Sequence, residues 1–105
     1  MPKPTHKLAA IVFTDIVGFT KFTAKNEPAA LKLLETQRSL LKPIVQSHGG
    51  EWLKELGDGL LLSFENIRNA VDAAIEIQNA VSDIDYLDLR IGIHQGEVIF
   101  SNNDV

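Results

Sequence analysis

The chain has 105 residues, enough for one domain, with a formal net charge of −4 and no cysteine. That balance offers no basic patch to nucleic acid, and the absence of thiols excludes disulfides, thiolate metal sites and a cysteine nucleophile. No signal peptide is evident and no apolar run approaches the roughly 20 residues of a membrane span, so a cytoplasmic domain with no membrane segment of its own is expected.

Leu8-Ala9-Ala10-Ile11-Val12-Phe13 is a short, continuous apolar run, the pattern of a strand buried on both faces. Asp15 ends it, and Gly18 breaks the pattern. Asn26 is placed to cap a helix, with Pro28 in the first turn. Leu31, Leu34, Leu41, Ile44 and Val45 make its apolar stripe. Pro43 should bend or weaken that helix near Ser39, and Gly49-Gly50 should stop it. Glu51 to Leu56 reads as extended. On a regular strand Lys54 shares a face with Trp52 and Leu56, while Glu51 and Glu55 are solvated. Gly57-Asp58-Gly59 has the chemistry of a tight turn, and Leu60 to Phe64 is the return strand. Asn66 caps a second helix with the stripe Ile67, Ala70, Val71, Ala74 and Val81. Leu87, Leu89, Ile91 and Ile93 alternate with Asp88, Arg90, Gly92 and His94, a half-buried strand. His94-Gln95-Gly96 then turns the chain so that Glu97 to Phe100 can pair back, and Ser101 to Val105 is a polar loop.

The order strand, helix, strand, strand, helix, strand is that of an α+β, ferredoxin-like βαββαβ (palm-like) core, with the helices on one face of a mainly antiparallel sheet. Right-handed crossovers put the first strand beside the third at the middle of that sheet. Asp15, at the end of the first strand, and Asp58, in the turn that starts the third, should therefore meet at one sheet edge.

Two close carboxylates repel unless a positive charge lies between them. A hard divalent cation is the common solution, and Mg²⁺ takes one or two carboxylates together with phosphate oxygens. The glycine-bearing turn Gly18-Phe19-Thr20 offers free backbone N–H groups suited to phosphate. Cation and phosphate together point to a nucleoside triphosphate. Against this, each aspartate alone is also ordinary turn chemistry. Lys54 is either an edge-strand lysine that snorkels or a donor to a ligand acceptor, and the residues alone leave both open. His6 and His48 lack metal-ligand spacing, and His94 falls on the more polar face of its strand.

Phe13-Thr14-Asp15-Ile16-Val17-Gly18-Phe19-Thr20 resembles the opening signature of the class III adenylyl and guanylyl cyclases. Gly49-Gly50 through Leu56-Gly57-Asp58-Gly59 is similar to their second signature, and Leu89 to Val98 to their third. The order and spacing agree over nearly the whole chain. The resemblance implies a catalytic domain that converts ATP to 3′,5′-cyclic AMP and pyrophosphate with two Mg²⁺ or Mn²⁺ ions per site. Asp15 and Asp58 match the metal-binding aspartates, and the carbonyl of Ile16 matches a backbone ligand. Gly18, Phe19 and Thr20 match the turn whose amides hold the triphosphate. Lys54 matches the lysine that reads adenine, where guanylyl cyclases usually carry an acidic residue. The family works as a head-to-tail dimer, so the resemblance implies a head-to-tail homodimer for this chain. Its pattern continues beyond Val105 with a second purine-reading residue, an asparagine and arginine on a further helix, and a later lysine. The chain, 1–105, is thus expected to be a cyclase catalytic domain truncated at its C-terminal side and inactive alone. A non-catalytic cyclase-like module is the alternative. A diguanylate cyclase, whose hairpin reads Gly-Gly-Asp/Glu-Glu-Phe, fits Gly57-Asp58-Gly59-Leu60 least.

Overall fold

The sheet is organised around one long strand. The computed structural model describes the backbone of residues 5–100 and the side chains of residues 8–97. In chain order its elements are β1 (Thr5–Ile16), α1 (Phe19–Lys25), α2 (Glu27–Ser47), β2 (Glu51–Leu56), β3 (Gly59–Phe64), α3 (Ile67–Val81) and β4 (Leu89–Phe100). The strands lie in the order β2-β3-β1-β4, with every neighbouring pair antiparallel. This is the expected ferredoxin-like arrangement with one added element, α1.

Alternation along β1 separates the two faces of the sheet. Ala10, Val12 and Ile16 join Leu60, Leu62 and Phe64 of β3 and Leu89 of β4 in a core covered by α2 and α3. Phe19 and Phe22 of α1 pack against the same core. The opposite face carries Ala9, Ile11, Phe13 and Asp15. β1 is only partly buried on both faces: Ala9 to Val12 are buried, but Leu8 and Phe13 are exposed.

Asn26 caps α2 by accepting from the Ala29 amide at 3.1 Å, and Asn66 caps α3 by accepting from Asn69 at 2.8 Å. The expected stripes are present in part: Leu41 and Val45 of α2 and Ala70 and Val81 of α3 are buried, and Leu34 and Ile44 pack against the core. α2 turns Ala30, Leu33, Gln37, Leu41 and Val45 inward and leaves Leu31 exposed. α3 turns Ala70, Ala73, Ile77 and Val81 inward and leaves Ile67 and Val71 exposed. Ala30, Gln37 and Ala73 are buried without the apolar bulk that marks a core position in the sequence. α2 runs through Pro43 to Ser47 and stops before Gly49-Gly50, as expected. Ser39, whose carbonyl loses its donor to that proline, is exposed and can be satisfied by water.

β4 also differs from expectation. His94-Gln95-Gly96 does not turn the chain, because β1 extends back to Thr5 and keeps a partner for β4 out to Phe100. The expected polar loop of Ser101 to Val105 lies outside the described residues.

Candidate functional site

Hairpin chemistry positions the first carboxylate. β2 and β3 are joined by Gly57 and Asp58, with Leu56 opposite Gly59. Gly57 has φ of 64°, the left-handed conformation that a two-residue hairpin of this kind demands at its first central position. The turn brings Asp58 against the end of β1, where its Oδ2 accepts from the Ile16 amide at 2.8 Å. The partners are 42 residues apart in sequence, and the bond fixes Asp58 beside Asp15. The two aspartates line one cleft of about 400 Å³, together with Ile16, Gly18, Phe19, Thr20, Lys21 and Arg90. The expected convergence at one sheet edge is thus present.

A positive charge already lies with these carboxylates. Arg90 stands directly opposite Asp15 in the β1–β4 ladder, on the face without helices. Its Nε donates to Asp15 Oδ1 at 2.8 Å and its Nη2 to Oδ2 at 3.1 Å. The hydrogen bond to Asp15, the charge of Asp15 and, more weakly, that of Asp58 raise the pKa of the guanidinium above its ordinary value. Sequence reasoning did not single out Arg90 as a site residue. The signal was available: strand alternation puts Arg90 on the polar face, and the strand order puts the start of β4 beside the end of β1.

The turn after β1 closes the cleft. The Val17 amide donates to the Asp88 carbonyl at 2.8 Å, which ties the strand end to the α3–β4 loop. Gly18 then adopts φ of 73° and starts α1 with no side-chain cap. A residue with a β-carbon would meet no atom there, so the need for glycine is conformational.

Lys54 is placed differently from the expectation. A β-bulge between Trp52 and Lys54 sets Trp52 opposite Leu62 and Lys54 opposite Leu61. The extra residue, Leu53, reverses the alternation. Lys54 therefore shares a face with Leu56 and not with Trp52, and it is half-buried on the side without helices. Trp52 packs on the core instead, with Lys42 of α2 5.5 Å above its ring. Glu55 is not simply solvated. It holds Arg38 of α2 through two hydrogen bonds of 2.9 and 2.7 Å and accepts from the Trp52 indole at 3.2 Å. The bond from Arg38 is the main cause that holds its carboxyl below the usual glutamate range. Lys54 does not line the cleft of the two aspartates.

The donor set fits a hard divalent cation that shares its ligands with phosphate. Two carboxylates converge where a guanidinium now supplies the balancing charge, and Asp58 Oδ1 accepts no hydrogen bond among the described residues. No group of three or more metal-ligating side chains occurs among the described residues. The remaining ligands would have to be backbone, water or substrate, which is how Mg²⁺ is commonly held. Among the described residues no helix is long and apolar enough to cross a membrane.

Comparison with known proteins gives a consistent picture. The family model described as the adenylate and guanylate cyclase catalytic domain matches residues 1–102. An adenylate cyclase of Streptomyces coelicolor is 32% identical over 98 residues, covering 91% of this chain and 26% of that protein. Guanylate cyclase 2G of Mus musculus is 32% identical over 114 residues, covering 92% of this chain and 10% of that protein. A solved structure of a bacterial light-regulated adenylyl cyclase superposes with a TM-score of 0.86 at 25% identity, covering 94% of this chain and 33% of that one. The chain therefore spans about a third or less of the length of these three proteins.

Proposed function

The chain belongs to the adenylate and guanylate cyclase catalytic domain family, and from that premise we propose that it supplies the cation- and triphosphate-binding side of an adenylyl cyclase site. The reaction is attack of the ribose 3′-oxygen of ATP on the α-phosphorus. The 3′-hydroxyl loses its proton, the bond to the β-phosphate oxygen breaks, and 3′,5′-cyclic AMP and pyrophosphate form. The observation that carries this reading is the meeting of Asp15 and Asp58, through the Ile16 amide, in a cleft bordered by the Gly18-Phe19-Thr20 turn.

Asp15, Asp58 and the Ile16 carbonyl would hold two Mg²⁺ or Mn²⁺ ions, which when bound acidify the attacking hydroxyl and neutralise charge on the leaving pyrophosphate. The backbone amides of Gly18, Phe19 and Thr20 bind triphosphate oxygens. Arg90 balances the carboxylates in the free chain, and its planar fork makes the same two-pronged contact to phosphate as to Asp15. Lys54 selects the base. Its ammonium can only donate, which suits the unprotonated N1 of adenine and opposes the N1–H of guanine. Relatives of both substrate types match this chain, so the choice of ATP rests on Lys54. On the same face of the sheet Phe13 is 50% and Leu56 65% exposed. Such apolar surface beside the site supports a head-to-tail homodimer in which the facing subunit contributes to the base pocket.

The test is an NMR titration of the 105-residue chain with Mn²⁺, with and without ATP. Paramagnetic broadening should centre on Asp15, Ile16 and Asp58, extend to Gly18 and Thr20 when ATP is added, and vanish in Asp15→Asn. Broadening centred elsewhere, or undiminished in Asp15→Asn, contradicts the reading.

A further inference from the structure

A second cleft, of about 500 Å³, adjoins the first and is not accounted for by the cyclase reading. Its walls include Val17, Lys21, Phe22, Lys25, Asn26 and Tyr86. Lys21 and Lys25 are four residues apart on α1 and so project from one side of it. Neither forms an ion pair or a side-chain hydrogen bond among the described residues, and no carboxylate lines the cleft. Two uncompensated ammonium groups thus border one concavity on a chain whose net charge is −4.

The cleft also has an aromatic lining. Tyr86 stacks on Phe22 with ring centroids 4.6 Å apart and an interplanar angle of 21°. Tyr86 is nevertheless 66% exposed, so much of its ring remains uncovered. It is also the one non-glycine residue with positive φ among the described residues, at 67°. A bulky aromatic is a genuine outlier there, and such strain persists only where surrounding structure imposes it. Here the loop is pinned on both sides. The Leu87 amide donates to the Ile84 carbonyl at 3.2 Å, Leu87 is fully buried, and the Asp88 carbonyl accepts from Val17. The strained backbone holds an open aromatic surface in the cleft that two cations also line.

We propose that this cleft binds a planar aromatic anion, a ring bearing a carboxylate, sulfonate or phosphate. The ring stacks on Tyr86 and the anionic group lies between Lys21 and Lys25. The volume suits such a ligand, and stacking together with ionic pairing identifies it better than either contact alone. Lys21, Gly18 and Phe19 border both clefts, so an occupant of this one takes up a charge that otherwise faces the site of Asp15 and Asp58.

The experiment is a ¹H–¹⁵N NMR titration of the 105-residue chain with naphthalene-2-sulfonate, without metal or nucleotide. Saturable shifts are expected at Lys25, Asn26 and Tyr86 and not at Asp58. Uncharged 2-naphthylmethanol and inorganic sulfate should each bind at least about fivefold more weakly, because each keeps one half of the recognition. Tyr86→Phe should retain binding. Tyr86→Gly, which relieves the backbone strain and removes the ring, should weaken it by about fivefold or more, as should Lys25→Gln. Non-saturating shifts, shifts centred on another surface, equal binding of either control, or unchanged affinity in Tyr86→Gly would each overturn the proposal. None of these results depends on whether the neighbouring site turns over ATP.

Discussion

Asp58 has two separable duties, and a pair of substitutions distinguishes them. Its Oδ2 accepts the Ile16 amide at 2.8 Å, and Ile16 is 3% exposed. Asp58→Ala leaves that amide without a partner, at a cost of about 1–3 kcal/mol. For a domain of this size the resulting fall in Tm is roughly 5–20 °C. Asp58→Asn keeps a carbonyl oxygen at the same place. A neutral acceptor retains about half the strength of a charged one, so its Tm should fall by about half as much. The charge, however, is lost completely in both variants. Mn²⁺ affinity should therefore drop by at least about tenfold in each, since even changes outside the ligand shell cost that much. Thermal unfolding by circular dichroism and Mn²⁺ titration by electron paramagnetic resonance measure the two effects independently. Equal Tm values for the Ala and Asn variants would show that the bond to Ile16 does not hold the turn. Parental Mn²⁺ affinity in Asp58→Asn would remove Asp58 from the cation site.

The remaining expectations concern the base, the core and pH. Lys54→Glu should lower the ratio of ATP to GTP affinity measured with Mn²⁺ by about tenfold to a hundredfold, from the loss of one matched donor and the gain of a mismatched acceptor; an unchanged ratio would reduce Lys54 to an edge-strand lysine. Gly50→Ala places a β-carbon 2.5 Å from Phe64 Cε1 and 2.8 Å from Val45 Cγ1, both on fully buried side chains, so it should destabilise by about 1–3 kcal/mol in denaturant unfolding. Adding Val45→Ala should recover part of that loss, and strict additivity of the two changes would argue against the clash. Glu55 has a depressed folded pKa, so its pairing with Arg38 contributes stability above the ordinary glutamate value of 4.5 and loses it as pH falls below. Arg38→Gln should remove that acid-sensitive component from a series of unfolding curves, and an unaltered pH profile would show that the pair contributes nothing.

What sequence reasoning could reach depended on which physical rule governed each residue. Asp15 and Asp58 were brought together by topology, because the crossover rule puts the first strand antiparallel beside the third, which aligns the end of the one with the start of the other. The caps at Asn26 and Asn66 were legible because a side-chain acceptor before a helix acts locally. The buried stripes of α2 and α3 were legible only in part: Leu41, Val45, Ala70 and Val81 were expected, but Ala30, Ala73 and Gln37 carry little apolar bulk and are buried all the same. The helix α1 spans only seven residues and packs on the core through Phe19 and Phe22 alone, too short a pattern to announce a helix. The continuous β4 was concealed because its partner, β1, begins in the polar residues before Leu8. Arg90 was within reach of simple strand parity once the strand order was accepted, and its pairing with Asp15 follows from that register.

The bulge in β2 bears on how this hairpin tolerates changes of length. A one-residue deletion in a strand normally turns every following side chain to the wrong face. Leu53 is the exception, because it is the residue that has no counterpart across the ladder. Excising it would join Trp52 directly to Lys54 in ordinary alternation, with Leu62 and Leu61 still their partners and Glu55 still able to reach Arg38. The hairpin thus contains a removable shim. A Leu53 deletion should keep Lys54 on its present face at the cost of one half-buried leucine, whereas deleting Trp52 or Glu55 should shift the register and leave the sheet mispaired.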